Sequence, residues 1–332
     1  MVGLNQPTPP LERRRAVQRQ QLKRLENCAY RVECRLTMKS ILVSIVAGFV
    51  CALVGSGCMT VDYTGGWRAL EVSSETGFAT PECVVADSAG NVFVANILPN
   101  EGVYWDDDGM GFVSRVSVEG RMEEAIWLGS RANSSIHSPK GMCILDGWLY
   151  INDSTRVKRC KLDDPNATLE SVLEGGERFN DAATDGRYVW VSDIKAGQVI
   201  RIDPQTKETL KIPAPAGVNG VTVWKERLFS VSWTEHEVYE LDPAGEQEPR
   251  AFGLADHFTN LDGIEVLDDG SFIVSDFKGN KVSLISSDEK TVYPFIEILS
   301  PADIGIDRGR GLLYVPQFTE DKIVVFRLKK RS

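Results

Sequence analysis

The feature that most constrains this chain is a strand pair written six times. The copies are "PECVVADSAGNVFVAN" from Pro81, "PKGMCILDGWLYIND" from Pro139 and "FNDAATDGRYVWVSD" from Phe179. They continue with "VNGVTVWKERLFSVSW" from Val218, "LDGIEVLDDGSFIVSD" from Leu261 and "PADIGIDRGRGLLYVPQ" from Pro301. Successive starts are 58, 40, 39, 43 and 40 residues apart. Each copy has a short apolar run, a polar turn rich in Asp and Gly, and a second run rich in β-branched and aromatic residues. Third runs follow in "QVIRID", "EVYELD", "KVSLIS" and "KIVVFRL", and exposed fourth runs in "ETLKIP" and "TVYPFI". Residues 59–332 contain no useful run of helical period.

Four strands per unit of about 40 residues is the pattern of a β-propeller blade. The expectation is an all-β, six-bladed propeller over 59–332, with four-stranded blades around a channel. The sixth copy ends at "KIVVFRLKKRS" with no fourth strand after it. "WRALEV", Trp67 to Val72, is expected to supply it, so that an N-terminal strand closes the ring in the last blade and covers a free edge. An open sandwich would not require six nearly equal periods.

The first strand of each propeller blade lines the channel, so equivalent residues converge on one ring. The second residue of each copy gives Glu82, Lys140, Asn180, Asn219, Asp262 and Ala302. The next gives Cys83, Gly141, Asp181, Gly220, Gly263 and Asp303. Five polar groups at the start of apolar strands are costly unless they satisfy one another, water, an ion or a substrate. Glu82, Asn180, Asn219 and Asp262 offer hard oxygen donors suited to Ca²⁺ or Mg²⁺, and less naturally to Zn²⁺. The Lys140 ammonium in the same ring is the alternative occupant. Salt-bridged to Glu82 and Asp262, it would leave no place for a metal.

These residues resemble the senescence-marker-protein/gluconolactonase family, also called regucalcin-like, of six-bladed propeller lactonases. The family's metal is held by a Glu, two Asn and an Asp in that chain order. The resemblance assigns these roles to Glu82 in "PECVV", Asn180 in "RFNDA", Asn219 in "VNGV" and Asp262 in "LDGIEV". Through the Arg-x-Asn-Asp of "RFNDA", Arg178 resembles the family's substrate-contacting Arg; Asp181 is placed with it, and Lys140, a departure from the family's ring, is read as a further substrate contact beside the metal. Glu82-Cys83-Val84 departs from the family's Glu-Gly-Pro. The resemblance implies a metal-dependent hydrolase that opens a small, sugar-type lactone to a hydroxy acid, with Asp262 as general base and one divalent metal, calcium expected. The blades also resemble NHL-type repeats. Those imply the alternative, a non-catalytic propeller that binds a ligand or protein in the cell envelope.

"MKSILVSIVAGFVCALVGSGC", Met38 to Cys58, has a lysine, an apolar run from Ile41 to Val54 and small residues before a cysteine. That is the pattern of a bacterial export signal, and the run is too short to span a bilayer comfortably. Cys58 is the expected lipidation site, although Gly55 stands where such sites usually carry Leu. Residues 1–37 read as an upstream extension absent from the mature protein. The expected location is the periplasm or an outer-membrane lipoprotein, touching membrane through the anchor or signal alone. The net charge is −10, and residues 1–57 carry +6, which leaves −16 for 58–332. That excess argues against nucleic acid as a partner. A small molecule at the channel mouth and a monomeric state are expected.

Three cysteines lie beyond Cys58, namely Cys83, Cys143 and Cys160, without metal spacing; they read as small buried hydrophobes. Asp106, Asp107 and Asp108 lack the calcium-loop spacing and read as a solvated turn. His137 and His257 precede the first strands of blades two and five and read as solvated loop residues, with a proton shuttle as the other use. His236 reads as a turn residue. Asn96, Asp153, Asp193 and Asp276 at strand ends read as caps of the turn into the third strand. Trp148, Trp190, Phe229 and Phe272 are expected to pack between blades.

Overall fold

The computed structural model describes residues 65–98, 103–129, 135–164 and 168–331. The extension 1–37, the signal Met38–Cys58 and the lipidation candidate Cys58 lie outside the described residues. Within the described residues, strands form six four-stranded antiparallel sheets, the blades of a propeller. Among the described residues the helical content is one 3₁₀ turn, Ala255–His257.

Blade one runs outward from Pro81–Ala86 through Val92–Asn96 and Phe112–Val116 to Met122–Gly129. Blades two to five repeat the order from inner strands Pro139–Leu145, Phe179–Thr184, Val218–Trp224 and Leu261–Val266. Blade six has Gly305–Asp307, Leu312–Gln317 and Lys322–Lys330, with Trp67–Thr76 as its outer strand. The closing strand pairs antiparallel with Lys322–Lys330, from Trp67 opposite Lys330 to Thr76 opposite Lys322. It is four residues longer than "WRALEV" and carries an irregularity between Glu71 and Ser73.

The core is divided among the blade interfaces. The second strand of each blade is buried on both faces, so its alternate residues serve different neighbours. In blade one, Phe93 and Ala95 pack with Met142, Leu149 and Ile151 of blade two. Val92 and Val94 pack with Leu312 and Tyr314 of blade six. This two-sided burial gives the second runs their continuous apolar character. The four aromatics fall at these interfaces: Trp190 between blades three and four, Phe229 and Phe272 edge-to-face at 4.9 Å between four and five, and Trp148 against the blade two–three cluster. Burying each such side chain contributes roughly 1.5–3 kcal/mol. Cys83, Cys143 and Cys160 are buried free thiols.

One irregularity recurs in every blade. Pro81 pairs with Asn96 and Val84 with Val94, so three steps on the inner strand face two on its partner. The same extra residue sits between Pro139 and Met142, Phe179 and Ala182, Val218 and Val221, and Leu261 and Ile264. In blade six it lies between Pro301 and Gly305. A bulge bends a strand and re-aims its side chains. Here it falls on the ring positions.

Candidate functional site

The bulge withdraws backbone groups from the sheet, and polar residues of the second strand replace the lost partners. Ser192 Oγ accepts the Asp181 N–H, and Ser275 Oγ accepts the Gly263 N–H, both at 2.8 Å. Asn152 Nδ2 donates to the carbonyls of Asn180 and Asp181 at 3.1 and 2.8 Å. The strand-end acids work one step further out. Asp193 accepts the N–H groups of Glu177 and Arg178, each at 2.9 Å, and of Ala196 at 3.2 Å. Asp153 holds His137 and Ser138, and Asp276 holds Thr259, Asn260 and Gly279, in the same way. The expected turn caps therefore also grip the loop entering the inner strand, which lies opposite them in the antiparallel pair.

This scaffold brings Glu82, Lys140, Asn180, Asn219 and Asp262 to one cavity of about 680 Å³ at one end of the channel, with Arg178 on its wall. All five ring residues are buried. Ala302 is buried in the sixth position. Asp181 is not brought to the same cavity. Its carboxylate accepts the N–H groups of Ala182 and Val221 at 2.6 and 2.7 Å and lines a separate space of about 230 Å³ with Asp303 and Cys83. Asp303 is held well above the usual carboxylate range by burial first, then by the Asp181 charge to which it hydrogen-bonds. Burial raises Asp181 as well, and its hydrogen bonds with Asp303, Val221 and Ala182 oppose that rise. Three glycines make room for this layer: a Cβ on Gly141 would meet Asp181 Cα at 2.4 Å, and one on Gly263 would meet Asp303 Oδ1 at 2.6 Å. One on Gly220 would meet the Asp262 carbonyl at 2.5 Å.

Burial sets the charge state of the upper ring. It pushes Glu82 up to about 8, against the Lys140 charge and with help from Asp262 and Asp181. It pushes Asp262 up to about 7, again against Lys140, with Asp181 adding and the Asn219 hydrogen bond opposing. Lys140 is lowered by burial, which the two carboxylates oppose and Arg178 reinforces. Asn219 Nδ2 donates to Asp262 Oδ1 at 3.0 Å. Glu82 Oε2 is buried and has no hydrogen-bond partner. Among the described residues no carboxylate oxygen lies within 4.0 Å of Lys140 Nζ. The ammonium sits instead 4.4 Å above the Trp105 ring, with the Arg178 guanidinium 5.4 Å from the same ring.

These observations test the fit of a divalent cation. Two carboxyls raised by burial, one with an orphaned oxygen, and the Asn180 and Asn219 amides form a hard-oxygen set that a cation would satisfy. Lys140 stacked on Trp105 leaves that set free of direct ion pairing. The residues fit the group.

Sequence reasoning missed the aromatic lining. Trp233, Phe277 and Phe318 occupy the position just after the second strand in blades four, five and six and face the cavity. Tyr104 and Trp105 come from the long connection in blade one. Ser154 Oγ donates to the Trp105 carbonyl and Ser138 Oγ to that of Asp106, both at 2.9 Å. The signal was present as a further repeat column, "SW", "DF" and "QF". The acidic turn beside them behaves as read: Asp107 pairs with Arg156 at 2.8 Å, and Asp108 Oδ1 accepts the Met110 N–H. Neither His137 nor His257 lines the cavity. His137 Nδ1 accepts the Gly109 N–H at 3.0 Å.

Solved structures share this architecture. A virginiamycin B lyase from Staphylococcus aureus, a catalytically inactive form with quinupristin, is 15% identical with a TM-score of 0.53; the match covers 79% of this chain and 98% of that one. A protein of unknown function from Bacteroides thetaiotaomicron is 15% identical with a TM-score of 0.58, covering 80% and 73%. A luciferin-regenerating enzyme is 14% identical with a TM-score of 0.57, covering 77% and 95%. The chain is a six-bladed β-propeller. At these identities the likeness is one of fold. No protein-family model matches the chain, and no curated protein matches it in sequence.

Proposed function

We propose that this propeller is an exported, metal-dependent hydrolase that opens a lactone to a hydroxy acid at the Glu82–Asn180–Asn219–Asp262 ring. The observation that carries the reading is the buried, unpartnered Glu82 oxygen facing the same cavity as Asp262 and two asparagine amides. Calcium is the expected ion, with magnesium or zinc as alternatives. The N-terminal signal pattern, with Cys58 as its lipidation candidate, supports export to the periplasm or outer membrane. The chain closes its own ring, which suits a monomer.

A divalent cation held by this ring would polarise the lactone carbonyl. The chain's own groups do the rest. Asp262, oriented through Oδ1 by the Asn219 amide, takes a proton from the attacking water. The water oxygen bonds to the carbonyl carbon, the ring C–O bond breaks, and the departing alkoxide takes up the proton as a hydroxyl. Arg178 positions the substrate, and Lys140 faces the negative charge that develops on the carbonyl oxygen. The aromatic wall keeps bulk water from these groups.

Lys140 favours a second reading, a non-catalytic binding propeller, because its ammonium lines the same cavity and its charge already acts on Glu82 and Asp262. Metal analysis of the purified protein beside Asn180→Ala, with glucono-lactone opening followed with and without chelator, separates the two. The hydrolase reading expects stoichiometric metal lost in the variant and turnover abolished by chelation. Metal-free wild type with no lactone opening overturns it.

A further inference from the structure

The upper cavity has two unlike walls. On one side Trp233, Phe277, Phe318 and Tyr104 form a continuous aromatic chain. Ring centroids are 5.4 Å apart for Trp233–Phe277 and 5.3 Å for both Phe277–Phe318 and Phe318–Tyr104, all tilted or edge-on. On the other side Lys140 and Arg178 share the Trp105 ring. Neither cation has an ion-pair partner within 4.0 Å among the described residues. Lys140 is only 3% exposed, so an ammonium is held out of water and aimed into a space without a direct counter-ion. A buried cation without a direct ion pair gains from an anion that a ligand can bring.

Charge points the same way whether or not a cation is bound. With a divalent ion, its two charges balance Glu82 and Asp262 and leave Lys140 and Arg178 in excess. Without it, neither carboxylate reaches Lys140 or Arg178 within ion-pair distance among the described residues, and both cations still point into the open cavity. The ring faces of the aromatic chain offer no polar partner for hydroxyls, so a ligand that lays an apolar face there is favoured over one that presents hydroxyls to it. At about 680 Å³, the space falls within the range of roughly 300–1,000 Å³ typical of pockets for drug-sized ligands.

We infer that this cavity binds an organic anion carrying a flat aromatic ring, its ring against the Trp233–Phe277–Phe318–Tyr104 chain and its carboxylate on Lys140 and Arg178. The inference rests on the proposed reading for the place of the ligand, not for turnover. In a lactone the charge on the cations is that of the product carboxylate; in a non-catalytic site it is the ligand's own.

Calorimetric titration of the intact protein with 2-naphthoate, 2-naphthylmethanol and gluconate tests it. The expected result is 2-naphthoate binding at least about tenfold tighter than either of the others, the measure of one charge-assisted hydrogen bond. Lys140→Met should remove the preference for the acid over the alcohol, and Phe277→Ser should weaken both naphthalene ligands alike. If Lys140→Met fails to fold, Arg178→Gln at the half-exposed flank reads the same preference. Equal affinity for acid and alcohol, gluconate binding as tightly as 2-naphthoate, or no 2-naphthoate binding at millimolar concentration overturns the inference. Binding of 2-naphthoate by a protein that opens no lactone keeps it and sinks the hydrolase reading. Lactone opening without 2-naphthoate binding does the reverse.

Discussion

Replacing Asp193 by alanine tests how the blade scaffold holds the site. Asp193 is 1% exposed, and its two oxygens accept three backbone N–H groups, from Glu177, Arg178 and Ala196. A hydrogen bond to an ionised acceptor contributes about 1.5–3 kcal/mol, and an abandoned buried donor costs a similar amount. Glu177 and Arg178 lie where water can reach in part, so some of the loss is regained, and Asp193→Ala should cost about 3–4 kcal/mol. Asp193→Asn keeps one carbonyl oxygen and turns an amide N–H₂ toward the remaining donor, so it should cost about half as much. Urea unfolding of the three proteins gives these differences, and hydrogen exchange at the Glu177 and Arg178 amides shows where the loss occurs. An alanine variant within about 1 kcal/mol of wild type, or unchanged exchange at both amides, refutes the argument that this carboxylate carries the loop.

Three further outcomes follow from the same geometry. The metal-free protein should lose stability as pH rises from about 5 to 8, because Glu82 and Asp262 are pushed up to about 8 and 7 and the folded state holds protons the unfolded state has released. Thermal midpoints across that range, with and without Ca²⁺, check the sign, and added cation should flatten the fall. Gly263→Ala should destabilise by about 2–4 kcal/mol, since its Cβ would stand 2.6 Å from Asp303 Oδ1 and 2.7 Å from the Ile304 nitrogen; an unchanged urea midpoint would contradict it. A Leu328→Ala change beneath the closing strand should cost about 2–4 kcal/mol, because Leu328 is buried in the cluster joining blades five and six; urea unfolding measures it.

Much of this was legible in the sequence, for reasons that residues make plain. The six starts from Pro81 to Pro301 carried the blade count because each blade buries the same strands in the same way. The column Glu82, Lys140, Asn180, Asn219, Asp262 carried the upper ring because the bulge falls at the same step in each repeat. Asp181 went elsewhere because the bulge turns adjacent residues to different spaces, which strand alternation does not foresee. Tyr104 and Trp105 were hidden in an insertion without counterpart in other blades. Trp233, Phe277 and Phe318 were hidden by lying one residue beyond the aligned strand, where chain direction after the second strand decides what they face. The separation of Lys140 from Glu82 and Asp262 depends on Trp105, so the salt-bridged alternative could not be weighed before that ring was placed.

The bulge has a consequence for how such a molecule can diversify. Because neighbouring residues of one inner strand open to different ends of the channel, Asn180 and Asp181 answer to separate surroundings though joined by a single peptide bond. A substitution at one level can retune what enters the wide mouth while the Asp181–Asp303 layer goes on joining blades three and six across the axis. Each blade thereby offers one position open to change beside one held by packing. A lineage can try new mouth chemistry blade by blade without renegotiating how the ring is closed.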